Sequence, residues 1–260
     1  MKILVYAALL SCVMAACNGK EESAGTGVEG VYELKKQTIS GGGKDSTVKR
    51  EQIKIYTNKA YMYASMTPDS SVGFGVGTYS LDSSGHLTEH SIYTSRALDS
   101  SLTYKLLIET KGDDYSQTIP DYTTAQGLNY VLKEEYKKLK PASASRLDGL
   151  WKMERTYTIK GVDTTETKVK QYKLYWMGHF IFIHRFPQDS LETRYKNGFG
   201  TGVFTLKNDT LREEEQKSNY ALLRGHRFAI KISLNGDDEY TQVINSARNG
   251  RSVEIYRRVK

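Results

Sequence analysis

The sequence predicts an all-β fold of two tandem antiparallel up-and-down barrels, with about eight strands in each. Three observations support this prediction. The second half of the chain repeats the first, apolar residues recur at every second position, and turn sequences separate these runs at short intervals. Strands joined by such short turns are antiparallel neighbours. A series of them can close into a barrel and leave no exposed sheet edge.

The internal repeat is clearest in a glycine-rich segment. Residues 73–81, GFGVGTYSL, match residues 198–206, GFGTGVFTL, with five of nine positions identical. The match continues in the same order on both sides, pairing residues 30–32 with 149–151, 52–56 with 171–175, and 112–117 with 236–242. We therefore divide the folded part of the chain into barrel 1 (residues 30–140), a proline, alanine and serine linker (141–148) and barrel 2 (149–260).

Each barrel is predicted from its period-two runs. In barrel 1 these indicate strands at residues 30–39, 48–57, 59–66, 73–81, 86–95, 102–110, 114–119 and 130–139. Residues 124–139 could also form a helix on propensity alone, but their counterpart at residues 253–259 favours a strand. The glycine run at residues 73–77 lies in a predicted strand with no helix after it, so we expect it to let the barrel bend rather than to bind a dinucleotide.

The first 29 residues predict an export signal and a tether. An uncharged run from Ile3 to Ala16 is too short for a membrane-spanning helix and has the length of a signal-peptide core. It ends in VMAAC, residues 13–17, which resembles the lipobox of bacterial lipoproteins. The resemblance implies that residues 1–16 are a signal peptide and that Cys17 is lipidated. Residues 17–29 are then a polar, glycine-containing tether.

Alternatives to this N-terminal interpretation stay open. A second box ends at Cys12, although only a short apolar run precedes it. The chain could also be an ordinary secreted protein, but Met14 is too large for signal cleavage after Ala16. The acidic run at residues 20–22 resembles an export tag for the surface of Gram-negative bacteria, or belongs to a solvated tether. We expect lipid anchoring in a bacterial outer membrane, on its periplasmic or its cell-surface side.

Composition argues against several functions. The chain has 37 basic and 30 acidic residues, a net charge of +7. The basic residues are spread among acidic ones instead of forming a stripe, so we do not expect nucleic-acid binding. If Cys17 carries lipid and Cys12 is removed, no thiol is left for a disulfide, a nucleophile or a metal site. The histidines lack metal-ligand spacing, and the sequence has no nucleophile elbow and no phosphate loop. We therefore expect no metal or cofactor and no enzymatic activity.

Six polar residues occupy equivalent positions in the two repeats. They are Lys54, Glu89 and Gln117 in barrel 1, and Lys173, Glu213 and Gln242 in barrel 2. Polar residues that persist between diverged copies could line a cavity and bind the polar end of a ligand, or could face solvent. We take them as candidate ligand-binding residues. Because Glu89 and Glu213 belong to separate barrels, they make a poor pair of catalytic carboxylates.

The start of barrel 2, Gly149-Leu150-Trp151, resembles the Gly-x-Trp start of the lipocalins and their calycin relatives. Gly30-Val31-Tyr32 is a version with tyrosine in place of tryptophan. The segments HFIF, GFGTG and LRE, at residues 179–182, 198–202 and 211–213, are similar to small lipocalin-like domains of bacterial exported proteins, many without an assigned function. The resemblance implies a barrel whose interior or mouth suits an apolar or amphipathic molecule, and it assigns no binding residues.

Two functional hypotheses follow. The first is a membrane-anchored lipocalin-like protein that binds a small apolar or amphipathic ligand in the bacterial envelope, without catalysis. The alternative is a non-catalytic interaction or scaffold protein whose barrels are filled by side chains and whose outer surface docks an envelope protein. Large side chains that crowd the interior would favour the alternative, and Tyr61, Tyr63, Phe180 and Phe182 are such residues.

Overall fold

The computed structural model describes residues 27–96, 102–123, 127–189, 194–246 and 250–260. The predicted signal peptide, Cys17 and most of the predicted tether lie outside the described residues. The described residues form two nine-stranded antiparallel sheets, one in each half of the chain. No helix in these ranges is long and apolar enough to cross a membrane.

Barrel 1 is a closed sheet. Its strands are β1 (Gly30–Gly41), β2 (Lys44–Val48), β3 (Glu51–Tyr56), β4 (Ala60–Met66), β5 (Val72–Leu81), β6 (His86–Thr94), β7 (Leu102–Lys111), β8 (Asp114–Thr123) and β9 (Asn129–Lys138). The first part of β1 pairs with β3, its far end pairs with β2, and its length pairs with β9. Eight strands thus close a barrel, and β2 is an additional strand.

Barrel 2 repeats this topology. Its strands are β10 (Gly149–Lys160), β11 (Asp163–Glu166), β12 (Lys170–Trp176), β13 (His179–Pro187), β14 (Tyr195–Lys207), β15 (Thr210–Ser218), β16 (Arg227–Asn235), β17 (Glu239–Ser246) and β18 (Gly250–Arg258). β10 pairs with β18 and closes the barrel, and β11 is the additional strand. The predicted fold of two tandem eight-stranded barrels is confirmed. Residues 129–138 form a strand, not a helix.

The glycine-rich segments lie in β5 and β14, where they make room for neighbouring side chains. A Cβ at Gly75 would lie 2.6 Å from the Tyr63 ring, and one at Gly200 would lie 2.6 Å from the carboxyl carbon of Glu215. Gly77 lies at a bulge where the register between β5 and β6 shifts, and a Cβ there would lie 1.9 Å from a carbonyl oxygen of β6. Glycine at these positions therefore permits both the bend and the filled interior.

The first strand of each barrel closes one end against the last strand. The Trp151 indole N–H donates to the carbonyl oxygen of Leu147 at 2.7 Å, and the Arg258 guanidinium lies 4.1 Å from the centre of the indole ring. Tyr32 and Lys138 take the same places in barrel 1, with 5.7 Å between the ammonium nitrogen and the ring centre. In both copies the aromatic residue of the Gly-x-aromatic motif thus contacts a cation at the end of the last strand of the same barrel.

The two barrels pack against each other through apolar outer faces. β4 and β5 of barrel 1 lie against β13 and β14 of barrel 2. One apolar cluster joins the two, and it includes the fully buried residues Met62 and Phe74 from barrel 1 and Ile181 and Ile183 from barrel 2. These side chains point away from their own barrel interiors. They are buried because the other barrel covers them.

Candidate functional site

A buried lysine, glutamate and glutamine cluster lies inside barrel 1. Lys54, Glu89 and Gln117 come from β3, β6 and β8, and each is 2% or 3% exposed. The Lys54 ammonium nitrogen lies 2.6 Å from Glu89 Oε1 and donates to Gln117 Oε1 at 2.9 Å. Because these strands are not neighbours in the sheet, the contacts cross the barrel interior.

The equivalent cluster lies inside barrel 2. The Lys173 ammonium nitrogen is 3.3 Å from Glu213 Oε1 and donates to Gln242 Oε1 at 3.3 Å. All three side chains are buried. The structure thus brings the six residues singled out from the repeat into two equivalent interior clusters. Each cluster satisfies its own charges and hydrogen bonds, and ligand binding by these residues stays a prediction.

A second carboxylate, which sequence reasoning missed, extends the cluster in barrel 1. Glu134 of β9 accepts hydrogen bonds from Gln117, from Gln37 at 2.6 Å and from the Tyr136 hydroxyl at 2.8 Å. Glu254 has the same place in barrel 2, where a glutamine and a tyrosine donate to it at 2.6 Å. A signal for this residue was present, since both glutamates stand two positions before an aligned tyrosine.

Tyrosine side chains fill much of the remaining interior. In barrel 1 the fully or nearly fully buried tyrosines are Tyr32, Tyr56, Tyr61, Tyr115 and Tyr136, and in barrel 2 they are Tyr175, Tyr240 and Tyr256. Burial, with Glu89 and Tyr115 adding to it, raises the pKa of Tyr56 well above its usual range. The Tyr56 hydroxyl therefore stays neutral and donates to Glu89.

Little space is left inside barrel 1. The cavity among these polar side chains has a volume of about 60 Å³, and its lining includes Lys54, Glu89, Gln117 and Glu134. One water occupies about 30 Å³ of liquid volume. Pockets for small-molecule ligands measure about 300–1,000 Å³. The cavity thus has room for a few waters and is far too small for a lipid-sized molecule.

Barrel 2 has two buried titratable residues where barrel 1 has serines. His184 and Glu215 occupy the places of Ser65 and Ser91, and they are 7% and 1% exposed. The His184 ring contacts the Tyr220 hydroxyl through Nε2 at 2.7 Å. Glu215 Oε1 is buried and has no hydrogen-bond partner among the described residues.

Burial keeps both of these side chains uncharged near neutral pH. Desolvation, reinforced by Glu213, raises the pKa of Glu215 to about 8. Desolvation, together with Lys173 and Lys196, lowers the pKa of His184 to about 4. Barrel 2 therefore holds a neutral carboxylic acid and a neutral imidazole in its interior at pH 7.

We expect the stability of the protein to fall as the pH rises from about 6.5 to 8. The folded state keeps a proton on Glu215 up to about pH 8, whereas the unfolded chain loses it near its ordinary pKa of 4.5. The unfolded state then binds fewer protons, so rising pH favours unfolding. The free energy of unfolding falls by on the order of 2 kcal/mol across this window.

His184 acts in the opposite direction, but at lower pH. Its imidazole is protonated below pH 6.5 in the unfolded chain and only below about pH 4 in the folded protein, so it makes stability rise with pH between these values. Urea unfolding at pH 6.5 and at pH 8 reports mainly on Glu215, because the opposing effect of His184 is nearly complete by pH 6.5. Glu215→Gln should remove the slope, whereas Glu214→Gln, on the adjacent and more exposed residue, should keep it. A flat wild-type profile would contradict a buried neutral Glu215.

No group of three or more histidine, cysteine, aspartate or glutamate side chains comes together as a metal site within the described ranges. The buried carboxylates of the two clusters contact lysine, glutamine and tyrosine instead. Chemically, these arrangements are mutually satisfied ion pairs and hydrogen bonds that fix the interior packing.

Comparisons with known proteins add little to this geometry. No protein-family model matches the chain, and no curated protein matches it. One solved structure that is similar is a protein of unknown function from the DUF3598 family of Nostoc punctiforme, with a TM-score of 0.28, 10% sequence identity, and coverage of 89% of this chain and 96% of that chain. A similarity at this score carries no argument about function. The lipocalin resemblance stays a prediction from the sequence.

Proposed function

We propose that this protein is a lipid-anchored, non-catalytic interaction or scaffold protein of the bacterial envelope, with barrels filled by their own side chains. The occupied interior of barrel 1, with its cavity of about 60 Å³, is the observation that carries the proposal. Crowding of the interior by large side chains is the feature that favours a scaffold over a carrier. The proposal predicts that the protein leaves its own envelope without a stoichiometric small molecule, which native mass spectrometry measures.

The pairing inside the barrels also supports a scaffold role. A ligand entering barrel 1 would have to separate Lys54 from Glu89 and Gln117, which are its partners at 2.6 and 2.9 Å. Separating a buried ion pair leaves uncompensated charge, and its cost exceeds that of a typical neutral hydrogen bond. The interior therefore serves the stability of the barrel, and recognition of a partner falls to the outer surface.

A second candidate function is binding of a small apolar or amphipathic molecule at one end of barrel 2. A groove of about 750 Å³ is lined by the linker, by the end of β14 and the turn that follows it, and by β16. Its lining includes the apolar side chains Phe204, Leu206, Ile232 and Leu234. This volume lies within the range of small-molecule pockets. A lipid that copurified with the protein would favour this function.

We propose Cys17 as the lipid attachment site and the outer membrane as the location. Cys17→Ser should move most of the protein from the membrane fraction to the soluble fraction, because the acyl chains supply the membrane affinity. Cys12→Ser is the matched control and should leave the protein membrane-bound. Cell fractionation measures both variants. Retention of Cys17→Ser with the membranes would overturn the anchor assignment, and release of Cys12→Ser alone would move the attachment site to Cys12.

A further inference from the structure

A cleft with a strong positive charge lies on barrel 1, at its border with barrel 2. It is formed by β1, the β2–β3 connection and the β4–β5 turn, with Arg224 contributed by barrel 2, and it has a volume of about 590 Å³. We call it the cationic cleft. Five cationic residues line it, with Glu51 as the one acidic residue in the lining: Lys35, Lys36, Lys49, Arg50 and Arg224.

Most of these cations lack a carboxylate partner. Within the described ranges, Lys35 pairs with Glu33, and no ion pair joins the other four to an acidic residue. Arg224 donates to a backbone carbonyl oxygen at 2.7 Å and lies 3.6 Å from Met66 Sδ. Arg50 Nε is buried and has no hydrogen-bond partner among the described residues. Arg50 lines both the cationic cleft and the interior cavity of barrel 1, so its guanidinium lies at the border between the two.

Comparison with the second repeat shows that the barrel fold alone does not require so many cations in this cleft. Barrel 2 has the equivalent cleft, of about 450 Å³. There Val169 replaces Arg50, Glu154 replaces Lys35 and Glu166 replaces Thr47. Glu166 also pairs with Arg155 at 3.3 Å, so part of the positive charge is neutralised within the cleft itself. The lining of the barrel 2 cleft has four cations and two carboxylates, whereas that of the cationic cleft has five cations and one carboxylate, so the same groove is more strongly cationic in barrel 1.

We infer that the cationic cleft binds a molecule carrying a phosphomonoester group. Several uncompensated cations around one concave surface focus the field and attract a multiply charged anion. The planar fork of an arginine matches the oxygens of a phosphate, and Arg50 and Arg224 provide two such forks from the two barrels. The volume leaves room for a group attached to the phosphate. A soluble phosphomonoester and a lipid headgroup share this chemistry.

Isothermal titration calorimetry of the full chain at low ionic strength tests the inference with two probes. Glycerol 3-phosphate represents a soluble phosphomonoester, and dihexanoyl phosphatidic acid represents a lipid headgroup. Dihexanoyl phosphatidylcholine, which has the acyl chains without the phosphomonoester, is the control and should not bind. Equal affinity for the two phosphate probes indicates a soluble source, and tighter binding of the phosphatidic acid indicates a lipid. Added salt should weaken both.

Variants locate the binding to the cleft. Arg50→Val installs the residue of the second repeat and should weaken binding by about tenfold, because a charge-assisted hydrogen bond is lost. Arg224→Ala, on the other barrel, should weaken it similarly if Arg50→Val does not fold. Lys168→Ala in the barrel 2 cleft is the matched control and should bind as the wild type does. The inference is overturned if neither phosphate probe binds. It is also overturned if folded Arg50→Val and Arg224→Ala both bind with wild-type affinity.

Discussion

Lys54→Met lowers the free energy of unfolding by about 3–5 kcal/mol, the effect expected when one partner of a buried ion pair is removed. Glu89 loses the ammonium group that lies 2.6 Å from its Oε1, and its carboxylate is then left charged in an interior where it is 3% exposed. Gln117 loses its donor in the same substitution. Denaturant unfolding measures the loss. The dependence of the free energy of unfolding on denaturant concentration should equal that of the wild type if the variant still unfolds in two states.

Two control variants make this result specific. Lys54→Met combined with Glu89→Gln should recover much of the loss, because no uncompensated charge is then buried. Lys137→Met removes one partner of the Lys137–Asp114 pair, which is 3.1 Å long, with side chains that are 47% and 69% exposed. An exposed pair contributes about 0–1 kcal/mol. Equal losses in Lys54→Met and Lys137→Met would contradict a buried, charged cluster.

Ile181→Asp uncouples the two barrels and lowers the stability by about 4 kcal/mol. Ile181 lies on the outer face of β13, is fully buried, and belongs to the apolar cluster that joins β13 to β4. An aspartate there has no cation to pair with in that cluster, so the contact has to open and admit water. We expect the wild type to unfold in one cooperative transition and Ile181→Asp to unfold in two, because each barrel of the variant then unfolds separately.

Ile92→Asp is the matched control for the contact between barrels. Ile92 is also an isoleucine on a strand of a barrel, but it is 45% exposed. The same substitution there should change the stability by about 0.5 kcal/mol or less. Calorimetry of both variants separates the effects. A single transition in Ile181→Asp, with wild-type stability, would show that the apolar outer faces do not hold the barrels together.

The repeat and the period-two pattern predict most of the fold, but they do not predict which face of each strand points into the barrel. In β3, Ile53 and Ile55 alternate with Lys54 and Tyr56. Hydrophobicity alone would turn the isoleucines inward. The structure does the reverse, because the isoleucines pack at the contact with barrel 2 while Lys54 and Tyr56 enter the barrel interior. Each barrel interior combines an apolar and aromatic cluster with buried polar side chains, and the contact between the barrels explains why the isoleucines of β3 face outward.

The additional strands were missed for a related reason. Lys44–Val48 and Asp163–Glu166 are almost wholly exposed, so they show no apolar alternation. They pair with the far ends of β1 and β10 through backbone hydrogen bonds that side-chain patterns do not report. The cationic cleft was hidden from the sequence too, because Arg50 and Arg224 are far apart in the chain and meet only where the barrels pack.

The equivalence of the repeats was the best guide to the candidate site. It selected Lys54, Glu89 and Gln117, which the structure brings into contact. It could not show that these side chains satisfy one another, since that depends on distances across the barrel. It also did not select Glu134, which lies in the segment at residues 124–139 that could form a helix or a strand. Without knowing which, the sequence does not show which acidic residue of that segment faces inward.

Native mass spectrometry of the untagged protein, purified from its own envelope, tests the central claim that side chains fill the barrels. We predict a mass equal to the mature polypeptide plus its lipid anchor, and no small molecule released on denaturation. The cavity of about 60 Å³ in barrel 1 has room only for a few solvent molecules. A stoichiometric apolar or amphipathic molecule in the spectrum would contradict the scaffold proposal and favour a carrier.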